Sequence, residues 1–326
     1  MRCITAVVLA ASLFLKEAAA ERVAVTIARR LAVPPAEARA AWLDYAWTRG
    51  GGLPLVASLA SPDRQSRTVL PLLLRERLVD TGSDDELGYV LEDAGALRAD
   101  VVAGSHSAQL RFAPGGDGAS TDLTWSVEFE TSSRNALWTA VTQSTVGEVV
   151  DNLEAFTAAP TVFTLEARLS ASPATCVDAW LGCFRDGELG LPLPMLPPVM
   201  LDEGDSGGVG YERLILPPGL KERVLEVERG GDGSDGEECS ARLAYTVANP
   251  AWRVTFPVHS HRGDVSFTSS ADGGSRMRWT VSVRPMRRGA PLVRLLTETI
   301  VPAFARNLAA RLEGAPENEE VTFAWS

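Results

Sequence analysis

The chain has 326 residues, 31 Lys and Arg against 42 Asp and Glu, a formal net charge of −11 and 45% apolar residues. Disordered chains hold fewer apolar residues, and collagen or a coiled coil would show its period, so the composition is globular, with length for two domains. The acidic balance argues against a nucleic-acid partner, because a phosphate-backbone binder needs a basic face to displace counterions.

At the N-terminus Arg2 precedes an uncharged stretch from Cys3 to Leu15, then Lys16, Glu17 and three alanines. A basic start, a short apolar run and small residues predict a signal peptide over residues 1–20, cut before Glu21, and hence a secretory-pathway or extracellular protein. The alternative is an apolar N-terminal helix packed on a cytoplasmic protein. Neither this run nor any later one reaches the roughly 18 uninterrupted apolar residues of a spanning helix, so no transmembrane segment is expected.

Past that point, Val23 to Val33 alternates apolar and polar residues as a strand, and Pro34-Pro35 opens a short helix whose apolar face includes Ala38, Trp42 and Leu43. Strand-like runs follow at Arg67–Leu70, Glu76–Val79, Leu87–Leu91, Ala108–Phe112 and Leu123–Phe129, divided by Gly and Asp turns such as Gly115 to Gly118. A helical stretch, Leu137–Phe156, closes the series.

The same order then recurs. RRLAVPPAEARAAWL at Arg29–Leu43 reappears as ARLSASPATCVDAWL at Ala167–Leu181, and GLPL at Gly52 returns at Gly190 with the same offset. VLPLLLRERLVD from Val69 pairs with ILPPGLKERVLE from Ile215. Tyr89, His106, Trp125 and Asn152-Leu153 pair with Tyr245, His261, Trp279 and Asn307-Leu308. In the second copy Leu292, Leu295, Leu296, Phe304 and Leu308 fall on one face of a final helix, which Pro302 is expected to bend. A duplication explains the pattern: a first domain over 21–158, a second over 159–312 and an acidic tail over 313–326. The predicted class is α+β, each copy a curved antiparallel sheet wrapped around its C-terminal helix.

Cys176 and Cys183 sit seven apart on a predicted helix, about 10 Å at 1.5 Å per residue, too far for a disulfide. With Cys239 they show no metal spacing, and the sequence holds no P-loop, GxSxG, HExxH or CxxC, so neither metal nor cofactor is expected. GGDGSDG at Gly230–Gly236 lacks the spacing of a calcium loop and reads as a hairpin loop.

This ordered set, present twice, resembles the helix-grip domain of the START and birch-pollen-allergen (SRPBCC) superfamily, nearest its polyketide cyclase/dehydrase-like branch. The resemblance implies an apolar cavity between sheet and terminal helix, for a lipid, polyketide or isoprenoid-like ligand. It extends at a distance to the abscisic acid receptors. There the proline-containing gate resembles Leu70–Leu74 and Leu216–Leu220, the histidine-arginine latch resembles His261-Arg262, and the pocket glutamate falls on Glu76 and Glu222. The pocket aromatics fall on Tyr89 and Tyr245, with Val247 beside the latter, and the helix asparagines on Asn152 and Asn307. The gate turn here is shorter, and no lysine matches the one that pairs with the hormone carboxylate, which points to a different ligand.

Read from the residues alone, Arg67 with Glu76 and Arg213 with Glu222 form either cross-strand ion pairs or the polar end of an apolar pocket. Period two puts Glu222 and Val224 on one strand face and Lys221, Arg223 and Leu225 on the other, without saying which faces inward. His259 and His261 would share a face, but a zinc site needs a third ligand that the sequence does not supply. His106 has no companion imidazole. Trp125 and Trp279 read as core or as stacking platforms, and Asn152 and Asn307 as amides bonded to the sheet or to a ligand. LGLPLPMLPP at Leu189–Pro198 suggests a lid or a contact surface. Two functions compete: carriage of a small hydrophobic molecule, and a cyclase or dehydratase of the second copy. In the enzyme, His261 or Glu222 would take a proton and Arg213 or Arg262 would stabilise an enolate. Oligomeric state is left open.

Overall fold

In the computed structural model the described residues are 20–53, 56–132, 134–186, 199–215, 220–230, 240–248, 256–313 and 322–325. The signal segment, the LGLPLPMLPP stretch, Cys239, most of the second gate turn and most of GGDGSDG lie outside them. The chain divides into two compact units between Ala158 and Ala159.

The first unit opens with β1 (Glu21–Leu31), where Val23, Val25 and Leu31 turn inward between exposed neighbours. Pro35 starts helix α1 (Pro35–Ala41), its ring fixing a helical φ at a position whose N–H would be unbonded anyway. The helix then widens into a π-helical segment, Trp42–Thr48, which buries Trp42, Tyr45, Ala46 and Trp47. Gly50, Gly51 and Gly52 end it with φ of 78°, 65° and 73°, a conformation that side chains other than glycine resist. Six more strands follow: β2 (Ala57–Ala60), β3 (Ser66–Leu70), β4 (Leu74–Val79), β5 (Glu86–Asp93), β6 (Ser107–Pro114) and β7 (Thr121–Thr131). They form one antiparallel sheet in the order β1-β7-β6-β5-β4-β3-β2. Helix α2 (Asn135–Thr157) returns along β1, presenting Val146, Val149, Val150 and Leu153 to the core.

The second unit repeats this plan with β8 (Thr161–Leu169), α3 (Pro173–Asp186), β9 (Val199–Glu203), β10 (Tyr211–Ile215), β11 (Leu220–Glu228), β12 (Ser240–Ala248), β13 (Val258–Ser269), β14 (Ser275–Pro285) and α4 (Ala290–Glu313). A short strand, β15 (Thr322–Trp325), is added at the C-terminus, giving the sheet order β15-β8-β14-β13-β12-β11-β10-β9. Each unit is thus α+β, a curved antiparallel sheet around its terminal helix, as the periodicities predict. Pro302 stands inside α4 without ending it. Leu292 and Leu295 depart from the expectation: they are exposed, and the core face of α4 is carried by Val293, Val301, Phe304, Ala305 and Leu308. Cys176 and Cys183 are buried free thiols, and burial pushes the Cys176 thiol up to about 11. No helix among the described residues is long and apolar enough to cross a membrane.

Candidate functional site

Beneath each sheet the repeat brings one set of side chains together. In the first unit Trp42 lies 5.8 Å from Trp47, 6.1 Å from Tyr89 and 5.7 Å from Trp125, ring centre to ring centre. In the second, Trp180 lies 5.4 Å from Tyr245 and 6.3 Å from Trp279. Phe304 of α4 closes this second group, 5.4 Å from both tryptophans. Centroid spacings of this size, several of them edge-on, are the favoured geometry of packed aromatics. Trp125 and Trp279 therefore belong to the core.

The charged pairs are resolved by register. Arg67 sits directly across from Glu76 on β3 and β4, and Arg213 across from Glu222 on β10 and β11. Arg67 Nε donates to Glu76 at 2.5 Å, and one Nη donates to the Ala46 carbonyl at 2.6 Å. Arg213 donates to Glu222 from Nε at 2.7 Å and Nη2 at 2.6 Å, and to the Phe184 carbonyl. The guanidinium carbons stand 4.4 Å above Trp47 and 4.0 Å above Phe184. Each arginine therefore ties the sheet to the C-terminal carbonyls of the preceding helical segment, where a cation also opposes the helix dipole. All three guanidinium nitrogens of Arg213 are thus engaged, and Glu222 receives them through one carboxylate oxygen.

Arg262 also departs from its expected role. It donates to Asp264 at 2.9 Å and to Glu226 at 3.2 Å, on the face of β13 opposite His261. The residue beside a strand histidine necessarily points away from it, so the two cannot work on one substrate atom from that strand. A register shift between Val258 and Ser260 separates His259 from the regular alternation through His261. Among the described residues no group of three His, Cys, Asp or Glu is placed to hold a metal.

His261 is buried against Tyr245 at 5.5 Å and Phe256 at 5.8 Å. Its Nδ1 has no hydrogen-bond partner, and burial holds its pKa down at about 4, so the imidazole is neutral near pH 7. Gly263, on the same strand face, makes room for the tyrosine: a Cβ there would fall 2.0 Å from Tyr245 Cε1. Tyr245 is itself held far above the usual phenol range, first by burial and then by the Glu222 charge. His106 occupies the matching place, 5.7 Å from Tyr89 and 6.2 Å from Phe129. Burial lowers its pKa too, but Glu76 works in the opposite direction. Tyr89 is raised by burial and then by Glu76.

On the helix side, Asn152 is fully buried in α2. Its Nδ2 reaches the Gly51 carbonyl only at 3.4 Å, and its Oδ1 has no partner. Asn307 is half-buried on α4. The indole N–H groups of Trp42 and Trp180 are also buried without acceptors. Val247 is buried on β12 next to this group. The first gate-like turn is fastened, the Ala96 N–H donating to the Leu72 carbonyl at 2.9 Å. Sequence reasoning missed Trp42, Trp180 and Phe304 as members of the interior group. Their placement at helical spacing marked them as core, and only the fold shows Trp42 beside Tyr89 in the first unit and Trp180 beside Tyr245 and Phe304 in the second. It also missed a depression of about 310 Å³ on the outer sheet face of the second unit, among Glu226, Arg242, Asp264, Ser266, Arg278 and Thr280. Its arginines and carboxylates are engaged in surface ion pairs, which contribute little individually.

No family model matches the chain, and no curated protein matches it. Among solved structures it is similar to the di-domain ARO/CYC StfQ from the steffimycin biosynthetic pathway, at 13% identity over 89% of this chain and 98% of that one, with a TM-score of 0.33. It is similar to the di-domain ARO/CYC BexL from the BE-7585A biosynthetic pathway at 12% identity, over 90% and 99%, with a TM-score of 0.34. Truncated norcoclaurine synthase from Thalictrum flavum matches 49% of this chain and 98% of its own at 15% identity, with a TM-score of 0.35. The assignment of the fold rests on the strand order and register given above, not on these distant likenesses.

Proposed function

We propose that the chain binds a small hydrophobic molecule carrying a few polar groups, between each sheet and its terminal helix. The observation behind this reading is a set of buried polar atoms without partners in an aromatic interior: His261 Nδ1, Asn152 Oδ1 and the indole nitrogens of Trp42 and Trp180. An unmet buried donor or acceptor costs about 1–3 kcal/mol, which a guest offering the complementary group recovers. Few placed polar groups in an apolar setting are also what orients a small ligand. A lipid-, polyketide- or isoprenoid-like compound matches an interior lined by aromatic rings. The basic, apolar and small-residue order of residues 1–20 supports an exported carrier.

A second reading is supported by one pair. His261 is neutral and its Nδ1 is unpaired beside the protonated Tyr245, so the pair offers a substrate an acceptor and a donor, and a cyclase or dehydratase would need the bound substrate to bring both groups back toward neutrality. This reading favours that pair over Arg213, Glu222 and Arg262, which are engaged in ion pairs.

The test is native mass spectrometry of the chain purified without detergent, with tryptophan emission as the second readout since buried tryptophans stand in both interiors. Binding predicts a retained mass of a few hundred daltons or saturable quenching by polyketide-like compounds, about tenfold weaker in His261→Leu. A chain with no added mass and no quenching by any such compound overturns the proposal. For the enzyme reading, His261→Ala should keep binding and lose turnover.

A further inference from the structure

One strand carries opposite charge in the two copies. The burial alternation puts Asp122, Thr124, Ser126, Glu128 and Glu130 on the outer face of β7. Counted from the matching tryptophans, Trp125 and Trp279, their counterparts on β14 are Arg276, Arg278, Thr280, Ser282 and Arg284. Three carboxylates are thus exchanged for three guanidiniums, in a chain whose net charge is −11. In the first unit Arg30 of β1 stands directly across from Asp122 and forks onto it at 2.8 and 3.1 Å. In the second, Arg168 of β8 stands directly across from Arg276. Residues so opposed have Cβ atoms about 4.5–5.5 Å apart, and like charges there repel. Among the described residues neither Arg168 nor Arg276 has an ion pair. Thr268 flanks Arg276 on its other side, and Arg278 meets Glu166 only at 4.0 Å. Asp272, in the β13–β14 turn, is bonded to the Ser270 hydroxyl and the Gly274 N–H, and Arg168 is the smallest of the influences on its carboxyl.

We propose that Arg168 and Arg276, with Arg278 beside them, form a surface site for a phosphate-class oxyanion, which takes the place that the Asp122 carboxylate holds in the first unit. The Arg30–Asp122 pair shows that side chains at this register reach each other above the sheet. Two arginines at the same register converge on one point, where an external anion offsets both charges. A carboxylate carries one charge and is filled by one fork. A phosphate monoester carries about −1.5 to −2 and presents three strong acceptor oxygens, enough for the planar forks of two guanidiniums. The Thr268 hydroxyl adds a neutral donor beside Arg276. Arg278 also lines the depression of about 310 Å³ on this face, which leaves room for the rest of a phosphorylated molecule. The site lies on the outer face of the sheet and does not depend on what the interior binds.

The experiment compares two probes on the full chain in buffer free of phosphate and sulfate: pyrophosphate by calorimetry, and vesicles of phosphatidylcholine with phosphatidic acid by flotation. A phosphate taken from solution predicts saturable pyrophosphate binding. One presented on a lipid headgroup predicts vesicle binding that phosphatidylcholine alone does not give. For whichever probe binds, affinity should fall at least tenfold in Arg276→Asp and hold in Arg64→Asp, an exposed first-unit position where the change in net charge is the same. Arg276→Asp restores the first unit's ion pair, so it should unfold at a temperature no lower than the natural chain. Arg168→Gln, which removes the other fork, provides a second measurement and should weaken binding as well. Binding of neither probe, or equal weakening in Arg276→Asp and Arg64→Asp, overturns the proposal.

Discussion

The two interiors solve one packing problem with different rings. In the first unit Arg67 bonds the Ala46 carbonyl and stacks on Trp47. In the second Arg213 bonds the carbonyl of Phe184, which stands the same distance after Pro173 as Ala46 does after Pro35, and stacks on that same Phe184. The π-helical segment of the first unit, with its wider turn, delivers the stacking ring one residue later. On the helix side of the core, Phe304 of α4 meets Trp180 and Trp279, whereas the residue one turn before Asn152 is Val149, packed at Gly51. The duplicated charge therefore fixes where sheet and helix are tied, while this place on the terminal helix has diverged: Phe304 in the second unit, Val149 with a fully buried amide in the first.

The largest expected effect tests the tie itself. Arg213 has 2% of its side chain exposed and Arg67 has 10%, so removing the carboxylate strands a more deeply buried cation in the second unit. Glu222→Ala should destabilise by about 3–5 kcal/mol, and Glu76→Ala by less. Urea unfolding followed by tryptophan emission measures both. Equal losses would erase the difference in burial as the controlling quantity.

Acid sharpens the comparison further. In the unfolded chain His261 titrates near 6.5, whereas in the fold it does so at about 4. Between these values the unfolded state binds more protons, so stability is intact above pH 6.5 and is lost as pH falls toward 4, by at most about 3 kcal/mol. Its counterpart His106 loses less, because Glu76 partly restores the charged form. Unfolding curves at pH 7.5, 6 and 5 for the natural chain and for His261→Phe should show the slope in the first and flatten it in the second. A slope that survives the substitution assigns acid sensitivity to other groups.

Much of this was legible in the sequence because the fold is written twice. Pro35, Trp42, Tyr89 and Trp125 recur in order, and two concordant copies outweigh the ambiguity of any short apolar run. Register across β3–β4 and β10–β11 could not be read, because period two leaves the inward face undecided until a buried neighbour such as Val224 fixes it. The ion pairs thus looked like possible pocket groups. The separation of His261 from Arg262 follows from the alternation of a regular strand, but sequence does not show where such a strand begins, and the shift before Ser260 hides it. The strands β2, β9 and β15 escaped because they are short edges, held by a neighbour's ladder rather than by their own apolar pattern.

The smallest expected effect on stability is the most informative about function. Asn152 and Asn307 occupy the same place in the repeat, yet one amide is fully buried with an unmatched oxygen and the other reaches solvent. A buried amide whose only bond is 3.4 Å long contributes little to the fold, since losing it also removes an unsatisfied oxygen. Asn152→Leu should accordingly cost less than about 1 kcal/mol, and Asn307→Leu should stay within about 0.5 kcal/mol. Retention of a bound compound should separate them more strongly, falling in Asn152→Leu and holding in Asn307→Leu, as read by native mass spectrometry beside thermal unfolding. A loss above about 2 kcal/mol in Asn152→Leu with retention unchanged would make that amide a structural link between α2 and the glycine turn. That outcome would remove the asparagine from the groups available to a guest in the first unit and shift the binding reading toward the second.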